Sequence, residues 1–297
     1  MQVSPVDWHQ GPREVFSLGP FISMEVCLIL KKEIVKASTF DLAKTVESGQ
    51  MFHFIRISSG DYFVAQRESV CRLFQVSPGA DLEIESEDPD FWYRLLRVSE
   101  DLKEFEDQLS HWAGRADIVA AGHGLRLIVQ DPWEAAMQFI GSAQRTTAMI
   151  RDSYQYITQM NGYNYCDKIW TLSDPIEFKG MSFNSVNLGF RAPFAESLVR
   201  VVNSNGGDEW FRYLKSLSLK GAISELEAVR GIGPKIANCI ALYGLGFGES
   251  VPVDVQIDRA LTVLGKSAAD VMFNFGKKAG LAQLYLYQWI RKGEVRL

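Results

Sequence analysis

Lys235 and Asp254 are the residues whose types and spacing could carry covalent chemistry. Lys235 lies in the first turn of a predicted helix, where the positive end of the helix dipole disfavours an ammonium group. A lysine that is neutral part of the time is a nucleophile and can form a Schiff base with a carbonyl-like carbon. Asp254 is predicted to cap the helix that follows it, either as its whole role or together with a second role as a carboxylate aimed at Lys235.

A helix, a glycine-rich turn and a second helix must position this lysine. Ser224 is predicted to begin the first helix, with Glu227 completing a capping box, and Pro234 opens the second. Gly231 and Gly233 in the turn indicate positive φ angles or the close approach of another backbone. Such a unit presents free N–H groups to an anion, for example a DNA phosphate. The alternative is a tight turn between two core helices.

The composition is typical of a packed globular protein, because 47% of the 297 residues are hydrophobic and 12% are aromatic. No apolar run reaches membrane-spanning length, the first residues do not resemble a signal peptide, and there is no basic nuclear address. The cysteines show no metal-ligand spacing and predict a reduced protein without a metal site; they are Cys27, Cys71, Cys166 and Cys239. We therefore expect an intracellular protein, in the cytoplasm of a prokaryote rather than in a nucleus.

Charge is unevenly distributed along the chain. The net charge of −5 argues against strong DNA binding, but residues 131–297 contain 18 Lys and Arg against 16 Asp and Glu, a net of +2. The rest of the chain carries a net charge of −7. We expect modest, salt-sensitive DNA affinity on the half that contains the glycine-rich turn.

The predicted fold class is α+β. Residues 1–124 are predicted to form a domain in which short strands make an antiparallel sheet with helices on one face. Its strands are expected at residues 25–30, 51–57, 62–67, 70–76 and 82–86, and its helices at 39–49 and 101–112. Residues 125–297 are predicted to form an all-α bundle that contains the glycine-rich turn. Besides the pair around the turn, its helices are expected at residues 135–141, 151–160, 184–204, 210–219, 255–264 and 279–290, with a break near Gly189 and Pro193 in the third of them.

The residues around the turn resemble the helix-hairpin-helix DNA glycosylase superfamily. The resemblance rests on Gly231-Ile232-Gly233-Pro234-Lys235 followed by Val251-Pro252-Val253-Asp254. In that superfamily, a lysine at this position marks enzymes that remove a base and also cleave the DNA backbone. No cysteine follows Cys239, so the iron–sulfur cluster of some members is not expected.

Four further segments, in chain order, resemble the 8-oxoguanine DNA glycosylases that have an N-terminal sheet domain. They are Glu47-Ser48-Gly49-Gln50-Met51-Phe52, residues 124–132, Leu188-Gly189-Phe190-Arg191-Ala192 and Ala279-Gly280-Leu281-Ala282-Gln283. The resemblance extends over about residues 40–290. It implies an enzyme that flips a damaged guanine out of the DNA stack into a pocket.

The resemblance assigns four residues to that pocket. The carbonyl of Gly49 would accept a hydrogen bond from N7–H, the proton that 8-oxoguanine has and guanine lacks. Gln283 would read the Watson–Crick edge, Tyr287 would stack on the base, and Cys239 would lie on its other face. The alternative roles are a helix C-cap for Gly49, a solvated position for Gln283 and core positions for the other two.

The resemblance also assigns contacts with DNA. Phe190 matches an aromatic wedge driven between bases, and Arg191 matches a contact to the orphaned opposite base; a core Phe and a surface Arg are the alternatives. Gln144 takes the place of an asparagine that fills the hole left by the flipped base, and Gln256 replaces a histidine that contacts phosphate. These departures leave the preference for cytosine opposite the lesion open.

The implied function is that of a bifunctional DNA glycosylase and apurinic/apyrimidinic lyase, which removes 8-oxoguanine from duplex DNA in base excision repair. Asp254 would stabilise positive charge on the sugar, and Lys235 would attack C1′. We expect a monomer that needs no cofactor and no membrane, although the hairpin carbonyls could hold a monovalent cation. The alternatives are a glycosylase for another oxidised or alkylated base and a non-catalytic DNA-binding protein.

Overall fold

A computed structural model describes residues 30–165 and 167–291. The first part contains strands β1 (Lys31–Val35), β2 (Phe54–Ser58), β3 (Asp61–Gln66), β4 (Ser69–Phe74) and β5 (Leu82–Ser86). They form one sheet in the order β1-β5-β4-β3-β2, in which all neighbours are antiparallel. The predicted meander is thus confirmed for β2 to β5. The strand predicted at residues 25–30 lies outside the described residues except for Leu30, and β1 begins at the next residue.

Two short helices, α1 (Leu42–Val46) and α2 (Pro89–Leu96), pack against the apolar side chains of the sheet. The helix α1 is shorter than predicted because Asp41 begins it as an N-cap, with its Oδ1 accepting from the N–H of Lys44 at 2.9 Å. The helix α2 was not predicted, although Asp88 at its N-cap is followed by a proline, which is typical of a helix start.

The remaining described residues are mainly helical. The helices are α3 (Lys103–Ala113), α4 (Ala116–Gly122), α5 (Pro132–Ile140), α6 (Thr147–Asn161), α7 (Ala192–Ser204), α8 (Asp208–Ser216), α9 (Leu219–Glu227), α10 (Pro234–Ile240), α11 (Val255–Leu264), α12 (Ala268–Phe275) and α13 (Ala279–Arg291). Two short strands, β6 (Asn164–Tyr165) and β7 (Ile169–Trp170), pair after α6. Neither α4, α12 nor this strand pair was predicted. The break predicted near Gly189 in the helical region 184–204 is confirmed: a short 3-10 turn, Gly189–Arg191, precedes α7.

The helix before the glycine-rich turn begins earlier than predicted. Ser218 is the N-cap of α9 and its Oγ accepts from the N–H of Gly221 at 3.2 Å, whereas Ser224 lies inside the helix. The prediction of a capping box at Ser224 and Glu227 is therefore wrong. Buried Ala222 adds apolar surface before the predicted start, so packing extends the helix by a turn.

The sheet and the helical bundle share contacts around residues 48–53 and 124–132. Ile128 belongs to the apolar cluster of the sheet, while Phe52 belongs to that of the bundle. His53 is buried and its Nδ1 lies 3.1 Å from Oε1 of the buried Glu134 on α5. The division of the chain at residues 124 and 125 stays a prediction.

Candidate active site

Lys235 lies in the first turn of α10, directly after the glycine-rich turn, as predicted. Gly231 has a φ of +95°, one of the two predicted reasons for a glycine, and a Cβ there would overlap the side chain of Phe194 rather than another backbone. Gly233 has an extended backbone with a φ of −97°, and a Cβ there would meet no described atom within 4 Å. The protein itself therefore does not require a glycine at residue 233, and the turn has room there for another molecule.

The ammonium group of Lys235 contacts the loop between α5 and α6 (residues 141–146), which we call the α5–α6 loop. Its Nζ donates to Oγ of the buried Ser142 at 3.1 Å and lies 5.7 Å from the ring centre of Phe139. Ser142 was not predicted as a site residue. No local pattern could link it with a lysine 93 positions away.

Asp254 is the N-cap of α11, as predicted. Its Oδ1 accepts hydrogen bonds from the backbone N–H groups of Gln256 and Ile257, both at 3.0 Å. Among the described residues no group donates to Oδ2. Half of the carboxylate is therefore available for a role beyond capping.

Cys239 lies one turn after Lys235 on α10 and is 3% exposed. Burial raises the pKa of its thiol to about 11, while the positive charge of Lys235 lowers this pKa and the negative charge of Asp254 raises it. The thiol is therefore protonated near neutral pH. Lys235 and Cys239 lie one turn apart on α10, and the charge of Asp254 at the start of α11 also acts on the Cys239 thiol.

Gly49 and Tyr287 form another wall of this site. The C-cap of α1 is Glu47, so the alternative role of Gly49 as that cap is wrong. Gly49 has a φ of +91°, and a Cβ there would lie 3.3 Å from Cε1 of Tyr287. Burial raises the pKa of Tyr287, the positive charge of Arg291 over its ring lowers it, and the negative charge of Asp254 raises it.

Gln283 is 5% exposed, so its alternative role as a solvated residue is wrong. Its Oε1 accepts a hydrogen bond from Oη of Tyr243 at 3.4 Å. Tyr243 lies in a π-helical turn, Ala241–Leu245, which continues α10. Tyr243 was not predicted as a site residue, although its spacing of four residues from Cys239 could have indicated the same helix face.

Buried glutamines hold the backbone that follows Gly49. Gln130 Nε2 donates to the carbonyl of Gln50 at 2.6 Å, and Gln138 Oε1 accepts from the N–H of Phe52 at 2.9 Å. The side chain of Gln50 also bonds to backbone groups of residues 45, 126 and 128. No described group donates to the carbonyl of Gly49 itself. The structure thus fixes this carbonyl and leaves it free to accept a hydrogen bond.

Gln144 and Phe190 lie on the surface, in two loops that Arg191 joins. Gln144 is exposed and has a φ of +54°, and Phe190 is 59% exposed, so its alternative role as a core residue is wrong. Arg191 is only 8% exposed, and its guanidinium donates to the carbonyl of Ala143 at 2.7 Å. Arg191 is therefore not the surface residue of the alternative interpretation. Burial and the charge of Arg145 lower the pKa of Arg191.

Gln256 is exposed in the first turn of α11, next to Asp254. In the part of the chain that the structure describes, no group of three or more His, Cys, Asp or Glu residues could hold a metal ion. No helix within residues 30–165 and 167–291 is long and apolar enough to cross a membrane.

Residues 33–136 match the protein family described as "8-oxoguanine DNA glycosylase, N-terminal domain". The chain is 25% identical to the N-glycosylase/DNA lyase OGG1 of Arabidopsis thaliana over 193 residues, which are 55% of this chain and 51% of that protein. It is 29% identical to a probable N-glycosylase/DNA lyase of Methanothermobacter thermautotrophicus over 207 residues, 58% of this chain and 65% of that protein. The matches thus span about half to two thirds of these relatives.

The fold is similar to that of the 8-oxoguanine glycosylase/lyase of Clostridium acetobutylicum, solved with duplex DNA that contains cytosine opposite 8-oxoguanine. The TM-score is 0.79 at 24% identity, with 90% of this chain and 99% of that chain covered. This likeness concerns the fold. The matched N-terminal domain, the two sequence relatives and this fold thus all make the chain similar to 8-oxoguanine glycosylases and N-glycosylase/DNA lyases.

Proposed function

We propose that the protein is a bifunctional DNA glycosylase and apurinic/apyrimidinic lyase that excises 8-oxoguanine from duplex DNA. The observation that carries the proposal is the set of groups that the fold holds ready: Lys235 one turn before the buried Cys239 on α10, Asp254 with one carboxylate oxygen not used in capping, and the carbonyl of Gly49, to which no described group donates. This chemistry needs a nucleophilic amine, a carboxylate and groups that recognise the base.

In the first step, the bond between C1′ and the base nitrogen N9 breaks and its electrons leave with the base. Asp254 stabilises the positive charge that develops on the sugar through the oxygen that does not cap α11. Lys235 in its neutral form attacks C1′ with its nitrogen lone pair. Opening of the sugar ring then gives a Schiff base between the lysine nitrogen and C1′.

In the second step, the Schiff base makes the protons on C2′ acidic. A proton acceptor removes one of them. The electron pair of that C–H bond forms a double bond between C2′ and C3′, and the 3′ phosphate leaves with the electrons of the C3′–O bond. No second side-chain base is evident from the sequence, so we assign this proton transfer to the departed base. Water then releases the lysine. Every group in this scheme belongs to the protein or the DNA, so we propose that no cofactor is required.

The pocket recognises the base through groups that the fold holds in place. The carbonyl of Gly49 accepts N7–H, and a guanine in the same position would leave that carbonyl buried without a donor. Gln283 reads the Watson–Crick edge, while Tyr287 and Cys239 contact the two faces of the base.

On the DNA side, we propose that the turn at Gly231 and Gly233 and the start of α11 at Gln256 bind phosphates without reading sequence. Phe190 enters the stack beside the lesion, and Gln144 fills the space left by the flipped base. Arg191 contributes to the opposite-base side by holding the α5–α6 loop, and it reaches the orphaned base only if DNA binding moves that loop.

We further propose that the protein acts on double-stranded DNA as a monomer inside the cell, in the cytoplasm of a prokaryote. A monovalent cation at the carbonyls of the glycine-rich turn would stiffen the turn against a phosphate. Size-exclusion chromatography with light scattering, with and without a lesion duplex, tests the monomer.

The test of the proposed function is borohydride trapping on duplexes that carry 8-oxoguanine opposite each of the four bases. Wild type is expected to form a covalent protein–DNA adduct and Lys235→Gln none, because borohydride reduces only a Schiff base. Lys103→Gln, at an exposed lysine on α3, is the matched control and is expected to trap like wild type. Equal trapping by Lys235→Gln would contradict the assignment of the nucleophile.

A second candidate is a glycosylase for a different oxidised or alkylated base. The feature that favours it is Gln144 in the α5–α6 loop, which replaces the asparagine found in similar enzymes. Trapping with another damaged base, and not with 8-oxoguanine, would support this alternative. DNA binding without an adduct on any lesion would instead favour a non-catalytic DNA-binding protein.

A further inference from the structure

Tyr243 lies directly behind Gln283, the residue that we propose reads the Watson–Crick edge of the base. Lys235, Cys239 and Tyr243 are spaced by four residues along α10 and the π-helical turn that continues it, so they share one helix face. Tyr243 is 4% exposed, so its side chain lies in the protein interior, on the inner side of the site.

The position of the Tyr243 ring is fixed from two directions. The ring stacks on Phe139 with a centroid distance of 5.3 Å and an interplanar angle of 17°. Its backbone carbonyl accepts from the N–H of Gln130 at 2.6 Å. A ring held in this way places its hydroxyl at a defined point, where Oη lies 3.4 Å from Oε1 of Gln283.

The Tyr243 hydroxyl is a hydrogen-bond donor with few acceptors within reach. Burial raises the pKa of Tyr243 well above its ordinary value, so the hydroxyl stays protonated. Within the described residues, the hydrogen bond to Gln283 is the only one that this hydroxyl makes. If the Gln283 amide turned by half a rotation, its N–H group would donate to the hydroxyl oxygen, but the proton of the hydroxyl itself would have no acceptor. An unmet buried donor is costly, so Tyr243 favours the amide orientation with Oε1 towards it.

The orientation of this amide decides which base edge it can pair with. A guanine-type edge presents the O6 acceptor beside the N1–H donor, whereas an adenine-type edge presents an amino donor beside the N1 acceptor. A freely rotating glutamine amide could pair with either edge, while a fixed one pairs with only one of them.

We propose that Tyr243 is a positioning residue that determines specificity: its hydrogen bond to Gln283 holds the amide in the orientation that accepts guanine-type lesions and rejects adenine-type lesions. The inference rests on the proposed function of Gln283. It identifies a protein group that sets the substrate class without touching the substrate.

The experiment compares single-turnover base excision from two duplexes that differ only in the lesion, 8-oxoguanine or 8-oxoadenine, each opposite cytosine. Tyr243→Phe keeps the ring and its stack on Phe139 but removes the hydroxyl. We expect the ratio of the 8-oxoguanine rate to the 8-oxoadenine rate to fall about tenfold, the size of one buried hydrogen bond. Cleavage of a preformed abasic duplex should stay within about twofold of wild type, because no base is read.

Tyr285→Phe is the matched control. Tyr285 is also a buried tyrosine, on α13, and its hydroxyl donates to Glu106 at 2.9 Å, away from the site. Its loss should leave the rate ratio unchanged. A ratio for Tyr243→Phe within twofold of wild type, or an equal fall in Tyr285→Phe, would overturn the proposal.

A double-variant cycle separates positioning from a general packing effect. In a Gln283→Ala background, Tyr243→Phe should have no further effect on the ratio, since there is no amide left to orient. An independent effect in that background would overturn the proposal. Failure of the proposed function looks different, because wild type itself would then excise neither lesion.

Discussion

The proposed base pocket and the surface that we propose enters the DNA differ in how deeply the protein buries them. In the pocket, Cys239 and Gln283 are almost fully buried, and the Gln283 amide has a protein hydrogen-bond partner. On the surface, Phe190 is largely exposed, and Gln144 has a φ of +54°, a conformation that costs a residue with a Cβ about 1–2 kcal/mol. The protein therefore buries the groups of the proposed pocket but leaves these two surface side chains exposed, with Phe190 resting on Arg191 and Phe194.

This difference indicates that the two regions have different roles in binding the substrate. Recognition by a single hydrogen bond needs groups held to within fractions of an ångström, which only a packed interior supplies. Insertion into a DNA stack needs side chains that are free of the protein interior before binding. Arg191 joins the two regions, because it is buried and yet holds the carbonyl of Ala143, next to Gln144.

The largest expected effect comes from removing the charge of Asp254 while keeping its shape. Asn caps helices about as well as Asp, so Asp254→Asn should change the free energy of unfolding by less than about 0.5 kcal/mol. The excision rate should fall roughly 10²–10³-fold, because the positive charge on the sugar loses its stabilisation. Urea unfolding and single-turnover excision measure the two quantities. A variant that remained active would reduce Asp254 to a helix cap.

Gly49→Ala tests whether the pocket tolerates a small distortion. The positive φ and the Tyr287 ring at 3.3 Å should together shift the recognition carbonyl. We expect excision of 8-oxoguanine to fall roughly 10–100-fold, with a smaller effect on cleavage of an abasic duplex. Gly114→Ala is the control, since Gly114 also has a positive φ, +63°, but a Cβ there would meet no described atom within 4 Å. Equal losses of activity in both variants would show a stability effect only.

Gln144→Gly tests the surface side of the comparison with an effect of opposite sign on stability. Glycine adopts a φ of +54° without strain, so the free energy of unfolding should stay constant or rise by up to about 1 kcal/mol. Excision from duplex DNA should fall about tenfold, because no side chain fills the space left by the base. Loss of stability together with unchanged excision would mean that Gln144 belongs to the protein's own packing.

The smallest expected effect is that of Ser142→Ala, at the point where the α5–α6 loop contacts the nucleophile. Loss of the acceptor for Lys235 should slow trapping on an abasic duplex by roughly 2–10-fold. Ser142→Thr keeps the hydroxyl and should recover most of the rate. If Thr and Ala behaved alike, the hydroxyl would not matter and the contact would be one of packing alone.

Local patterns predicted much of the fold and part of the site. The strand β5 and the helix α11 have the predicted bounds, because alternating or periodic apolar residues and the Asp254 cap lie within a few residues of one another. The start of α9 was misplaced because two serines, Ser218 and Ser224, offer similar cap signals and packing chose between them. The short helix α4 carries no side-chain cap hydrogen bond, so its start had no such signal.

By itself, the sequence determined three features: the two helices around the glycine-rich turn that carries Lys235, the cap at Asp254, and the order of the motifs that resemble the family. All three are short-range patterns. Only the tertiary structure decided that Ser142 holds Lys235, that Tyr243 faces Gln283 and that Arg191 is buried. These contacts join residues 40 to 93 positions apart, and no periodicity or cap signal acts over such distances. Which of many distant side chains meet is decided by how the helices pack.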